Sequence, residues 1–231
     1  MNRQPDPDFA AQLSEILDPA GDAPPSPKLR PPVLPATAPT RSLVQRQRWA
    51  ALVGSLSWLA IHLAVYGIRT DLHDLPPPYI VAQIVLPVLV AGGSLFVALG
   101  SGRLGLGFKV GIISTLAVLG PAAFCVIALG APVPRVPEPG TFLDTLLCFD
   151  ITVAWVAIPL LCAAVTLHGG FAAGARWRSA LVGAGIGLFA GATMNLHCPN
   201  VAPLHVLFGH GLAVLSAAVL GALALVYRTR A

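Results

Sequence analysis

Tyr79-Ile-Val-Ala-Gln-Ile-Val-Leu-Pro-Val-Leu-Val-Ala-Gly-Gly-Ser-Leu-Phe-Val-Ala-Leu-Gly100 runs for 22 positions without a charged side chain. As one helix at about 1.5 Å per residue it reaches ~33 Å, enough to cross the roughly 30 Å hydrocarbon layer of a bilayer. Five further runs read the same way, at 48–68, 107–130, 144–168, 178–196 and 204–227, and the connectors between them are short. The pattern predicts an all-α integral membrane protein with six transmembrane helices. Composition agrees: of 231 residues, 55% are hydrophobic and 10% charged, with a mean hydropathy of +0.76. A soluble domain carries about 25% charged residues, so an ordinary cytosolic enzyme is excluded, as are a secreted disulfide scaffold and a chain disordered throughout.

The net charge of +4 is a matter of topology and not of nucleic-acid binding, because the cations are sorted. Arg3, Lys28, Arg30, Arg41, Arg46 and Arg48 precede the first run. Arg103 and Lys109 fall at the second connector, Arg176 and Arg178 at the fourth, and Arg228 and Arg230 in the tail. Twelve of the fourteen thus lie on one side, with Arg69 and Arg135 on the other. The positive-inside rule places that side, and both termini, in the cytoplasm. Residues 1–47 are polar and proline-rich, which predicts no cleavable signal peptide.

The segment before the membrane divides in two. Residues 19–47 form a cytoplasmic linker whose eight prolines within 19–39 suit an extended spacer. Within residues 1–18, Phe9, Leu13, Ile16 and Leu17 fall at i, i+4, i+7 and i+8, one apolar stripe of a short amphipathic helix. So short a helix is marginal alone in water, so the stripe points to folding against a partner, the alternatives being a frayed, partnerless turn or a helix lying on the bilayer. The 48–227 segment is the membrane domain, and 228–231 is a basic cytoplasmic tail.

Inside the fifth run Gly183, Gly187 and Gly191 recur every four residues, a spacing that lets helix backbones pack closely in lipid. His62, Cys125, Cys148, Asp150 and His210 lie within about two turns of the non-cytoplasmic surface, given a rise of ~1.5 Å per residue. His197, Cys198 and His205 lie at that surface, and His73 is in the first connector; Cys162 alone falls towards the cytoplasmic half. Asp150 is costly on a spanning helix unless His210, at a similar depth, holds it as an ion or hydrogen-bond partner, or it stays neutral and hydrogen-bonded inside the bundle. Cys148, Cys198, His197 and His205 leave four readings open: inert thiols, a disulfide pair, ligands for zinc or copper, or a catalytic thiol. Paired imidazoles at His62 and His210 would suit haem, and Asp150 would suit a small proton-coupled transporter. No Gly-x-Ser-x-Gly, His-Glu-x-x-His or Gly-x-x-x-x-Gly-Lys motif occurs, so no enzyme and no resident cofactor are expected, zinc, copper and haem being the candidates if one exists.

Leu196-His-Cys-Pro199, Pro203-Leu-His205 and Gly209-His210-Gly211, with a cysteine early in the fourth helix, resemble the negative-regulator-of-sigma-F family. Its members are multi-spanning bacterial anti-sigma factors. The resemblance covers about 48–227 and implies sequestration of an extracytoplasmic-function sigma factor at the inner membrane. Release would follow an envelope, oxidative, light or metal signal, by conformational change or through a protease. It also implies that the family's two functional cysteines are Cys148 and Cys198. His197, His205, His210 and Asp150 complete the expected sensor group, and the 1–18 stripe is the expected sigma-binding element. The His-x-x-x-Cys-x-x-Cys motif of soluble zinc-binding anti-sigma factors is missing, which disfavours a switch of that type.

Overall fold

The computed structural model describes residues 41–99, 106–130, 141–167 and 175–225, and every regular element among them is helical. The expected sigma-binding stripe (Phe9, Leu13, Ile16, Leu17), most of the linker and the basic tail lie outside the described residues. The helices are α1 (Arg41–Tyr66), α2 (Pro77–Leu99), α3 (Leu106–Gly130), α4 (Phe142–Thr166), α5 (Ala175–His197) and α6 (Pro203–Ala224). Five helices, α2 to α6, are long and apolar enough to cross a membrane. The first run is helical too, as α1, and among the described residues its apolar stretch Leu52–Tyr66 is shorter than the other five. Its amino-terminal part carries Arg41, Arg46 and Arg48, which keeps that end polar.

Helix α5 is the axis of the bundle. Along its apolar stretch 89% is buried, against 28–44% for the other four. Small residues make this central place available. A Cβ on Gly185 would sit 2.8 Å from Leu95 Cγ of α2, and one on Gly187 would sit 2.8 Å from Ala217 Cβ of α6. One on Gly191 would meet Val214 of α6 at 2.9 Å and Phe124 of α3 at 3.1 Å. Gly183 lies directly against the Ala217 carbonyl, and Gly221 of α6 packs in return against Ser179 and Gly183. With lipid outside, such close packing supplies attraction that the hydrophobic effect cannot supply between two apolar helices. Gly187→Leu would force α5 and α6 apart at Val214 and Ala217. Overpacking of this kind costs about 1–3 kcal/mol or more. The variant is expected to show a lowered unfolding temperature in detergent; an unchanged transition would contradict this account of the seam.

At one end of the bundle, the end of α1, the end of α5 and the starts of α2, α4 and α6 come together. Leu75 and Tyr79, before and in the first turn of α2, pack on Val201 between α5 and α6. Arg69 donates from its backbone N to the Leu196 carbonyl at 2.9 Å. His205 at the start of α6 meets Thr145 at the start of α4. The chemistry-bearing side chains gather at this end.

Candidate functional site

Local rules fix each contributor. Thr141 and Asp144 form a reciprocal cap on α4: the Asp144 carboxylate accepts from Thr141 N at 2.7 Å, and Thr141 Oγ1 accepts from Asp144 N at 3.3 Å. This pins the start of α4, so that Thr145, Cys148 and Thr152 follow one another on its inward face. Cys198 stands just past the end of α5, with its backbone N donating to the Met194 carbonyl at 2.7 Å. On α6, Pro203 occupies the first helical turn, where its missing N–H costs nothing.

The α6 backbone then departs from regularity. Val206–Gly211 is a π-helical turn. In an ordinary α-helix, residues five apart differ by about 140° in direction. The wider turn closes most of that gap, which brings His205 and His210 to one face, ring centroids 5.4 Å apart. Gly209 lets α6 come close to α4, because a Cβ there would lie 3.3 Å from Cys148 Cβ and 3.3 Å from the Thr145 carbonyl.

The result is a compact group. Cys148 Sγ lies 3.7 Å from Cys198 Sγ, and Cys198 Sγ lies 3.3 Å from His205 Nε2. One ligand atom from each of Cys148, Cys198, His205 and His210 falls within 4.8 Å of all the others. Cys198, His205 and His210 are buried, while Cys148 is half-buried.

Hydrogen bonds behind the rings set their tautomers. Asn195 Nδ2 donates to the Gln83 carbonyl at 3.1 Å, which turns Asn195 Oδ1 towards His210 Nδ1 at 2.7 Å. His210 Nδ1 therefore carries the proton. Its Nε2 lone pair, buried and without a hydrogen bond, belongs to the four-atom group. Thr145 Oγ1, which donates to the Thr141 carbonyl, accepts from His205 Nδ1 at 3.1 Å. That leaves His205 Nε2 to accept from the Cys198 thiol. The hydrogen bond from Cys148 pulls the Cys198 thiol pKa below its ordinary value against the opposing effect of burial.

Arg69 supports the segment that bears Cys198. Its Nη1 donates to the Cys198 carbonyl at 2.9 Å and its Nη2 to the Pro199 carbonyl at 3.0 Å. The same guanidinium grips Asp71 through Nε and Nη2, each at 2.7 Å. The carboxylate pair raises the Arg69 pKa and lowers that of Asp71. A cation here also meets carbonyls that the end of α5 leaves without helical partners.

Two expected members stand apart. Asp150 is exposed, and its expected bond to His210 does not form: Asn195 holds His210 Nδ1 instead. The geometry is simple, since two residues on from Cys148 is about 200° around the helix, on the opposite face. His197 is drawn into a second group, in which its Nδ1 donates to the Gly67 carbonyl at 3.2 Å and its ring packs near His62 and Tyr66. His62, with both ring nitrogens buried and unbonded, packs on Trp155 and Tyr66 in that group, and His210 lies in the other. His73 is exposed beside Asp74, Cys162 is exposed, and Cys125 is half-buried near Gly211. Gln83, Thr145, Asn195 and Arg69 were absent from the sequence expectation. Gln83 and Asn195 are amides inside apolar runs and could have been flagged as polar groups needing partners; Arg69 stood out as one of two cations on the wrong side of the charge pattern.

The group suits two kinds of chemistry. Joining the sulfurs as a disulfide requires an approach of about 1.7 Å, from the observed separation to a bond of ~2.05 Å. Alternatively, two thiolates and two Nε2 lone pairs are a donor set for zinc or copper(I), and the orphaned Nε2 of His210 fits that use. Comparison with known proteins adds one match: the family described as negative regulator of sigma F fits residues 35–230. No curated protein and no solved structure gave a match.

Proposed function

We propose, from the premise that the chain belongs to the negative regulator of sigma F family, that it is a membrane-bound anti-sigma factor. Its partner is an extracytoplasmic-function sigma factor, held at the inner membrane through residues 1–18 and kept from RNA polymerase. All six helices span the bilayer, α1 included, with both termini in the cytoplasm. The sorting of twelve of fourteen cations to one side supports that topology. The group of Cys148, Cys198, His205 and His210 then faces away from the cytoplasm, where an oxidant or a soft metal ion reaches it first. Stress outside the membrane changes the group, and the sigma factor is released within.

One observation carries the sensing part: the four ligand atoms converge within 4.8 Å, with each imidazole tautomer set by a dedicated partner. Neither competing use gains support, because Asp150 lies outside the group and His62 and His210 belong to different groups. The test is co-purification. The full chain, extracted in mild detergent from its own cells, should bring down a sigma factor, and diamide treatment before extraction should deplete it. Extracts in which the chain carries no sigma factor under any condition would defeat the proposal.

A further inference from the structure

Cys198 is held at two points. Its sulfur belongs to the four-residue group, and its carbonyl is bonded to Arg69. Arg69 is therefore placed between the group and α1. Only Gly67 and Ile68 separate it from Tyr66, the last residue of α1. The link is multiple: Arg69 N to the Leu196 carbonyl, Nη1 to the Cys198 carbonyl, Nη2 to the Pro199 carbonyl, and beside them His197 Nδ1 to the Gly67 carbonyl. Asp71 fixes the remaining edge of the guanidinium, so the side chain cannot swing away without breaking two further bonds of 2.7 Å. Gly67 takes a φ of +79°, a conformation glycine adopts freely, and this makes the sharp exit from α1 that returns the chain to α5.

We propose that Arg69 is the coupling residue of the protein: it makes the end of α1 follow the backbone of Cys198, and so passes the state of the thiols to the helix that leads into residues 1–40. The inference rests on the functional reading given above. Its mechanics follow from unequal stiffness. Cys148 sits in a capped helix, whereas Cys198 sits in the non-helical turn 198–202, so closing the sulfur gap moves the turn. Arg69, bonded to two successive carbonyls of that turn, moves with it. Helix α1 is continuous for 26 residues, and Trp58 anchors its middle through a bond of 3.1 Å from Nε1 to the Trp155 carbonyl of α4. A shift at Tyr66 therefore appears as a tilt at Arg41. Lysine cannot replace this device, because one ammonium does not reproduce a planar fork shared between two carbonyls and a carboxylate.

The test uses the full chain in native membranes, with diamide as the probe. Diamide takes two protons and two electrons from the thiols and leaves the Cys148–Cys198 disulfide, which alkylation mass shifts report. In Arg69→Gln the disulfide should form as in the parent, while induction of sigma-dependent transcription falls by roughly tenfold, within the usual range for coupling between sites. Parent-like induction in Arg69→Gln would overturn the proposal. A second measurement covers a variant that fails to accumulate: hydrogen exchange on the unmutated chain in nanodiscs. Exchange at the Arg69 amide and at the last turn of α1 should change on diamide treatment. Unchanged protection with the disulfide formed would overturn the coupling. Because exchange does not involve the sigma factor, an unmutated chain that oxidises without releasing it defeats the functional reading alone.

Discussion

Removing residues 1–18 is expected to raise sigma-dependent transcription to the level of cells lacking the protein, with the membrane domain still present in normal amount. The spacing of Phe9, Leu13, Ile16 and Leu17 offers an amphipathic stripe outside the membrane runs, and a helix formed there would gain stability chiefly by docking. If each of the four side chains contributes about 1 kcal/mol or more, their joint loss weakens binding by roughly a thousandfold. The paired change Phe9→Ala and Leu13→Ala, which keeps the chain length, should give a smaller rise in the same direction. Reporter transcription measured beside membrane abundance decides the matter. Equal transcription with and without residues 1–18 would remove the arm from the mechanism and move the sigma-binding surface elsewhere.

The helical membrane architecture was legible because it follows from one-dimensional signals. Runs such as 79–100 are long and uncharged, and glycines at four-residue spacing mark the helix that others approach. Hydropathy is a sum along the chain and needs no partner to be read. The site was legible only in part, for a reason of the same kind. Cys148, Cys198, His205 and His210 could be assigned to one end of the bundle by counting residues, but membership depends on angle as well as depth. Asp150 shares the depth of the group and faces the other way. His205 and His210 share a face only because α6 widens at Val206–Gly211, and nothing in residue spacing announces a π-turn. Asn195, Gln83 and Arg69 act through bonds to backbone carbonyls or amides distant in sequence, and a pattern of residue types does not encode those.

Substitution at the two cysteines should abolish the response while sparing repression in unstressed cells. Cys148→Ser and Cys198→Ser each remove a sulfur that no hydroxyl replaces, since serine forms no disulfide and is a poor ligand for soft metals. Either variant should therefore hold transcription at its unstimulated level in diamide, because a single thiol cannot close the bond. The imidazoles separate the two chemistries. His210 takes no hydrogen bond through Nε2 in the thiol state, so the disulfide route does not call on it. A metal would call on it directly. His210→Gln should accordingly keep the diamide response, and it should lose about ten- to a hundredfold in sensitivity to zinc or copper if these ions act through the group. A variant that answers both stimuli as the parent does would remove His210 from the sensor, and a Cys198→Ser chain that still releases its sigma factor in diamide would remove the thiol pair itself.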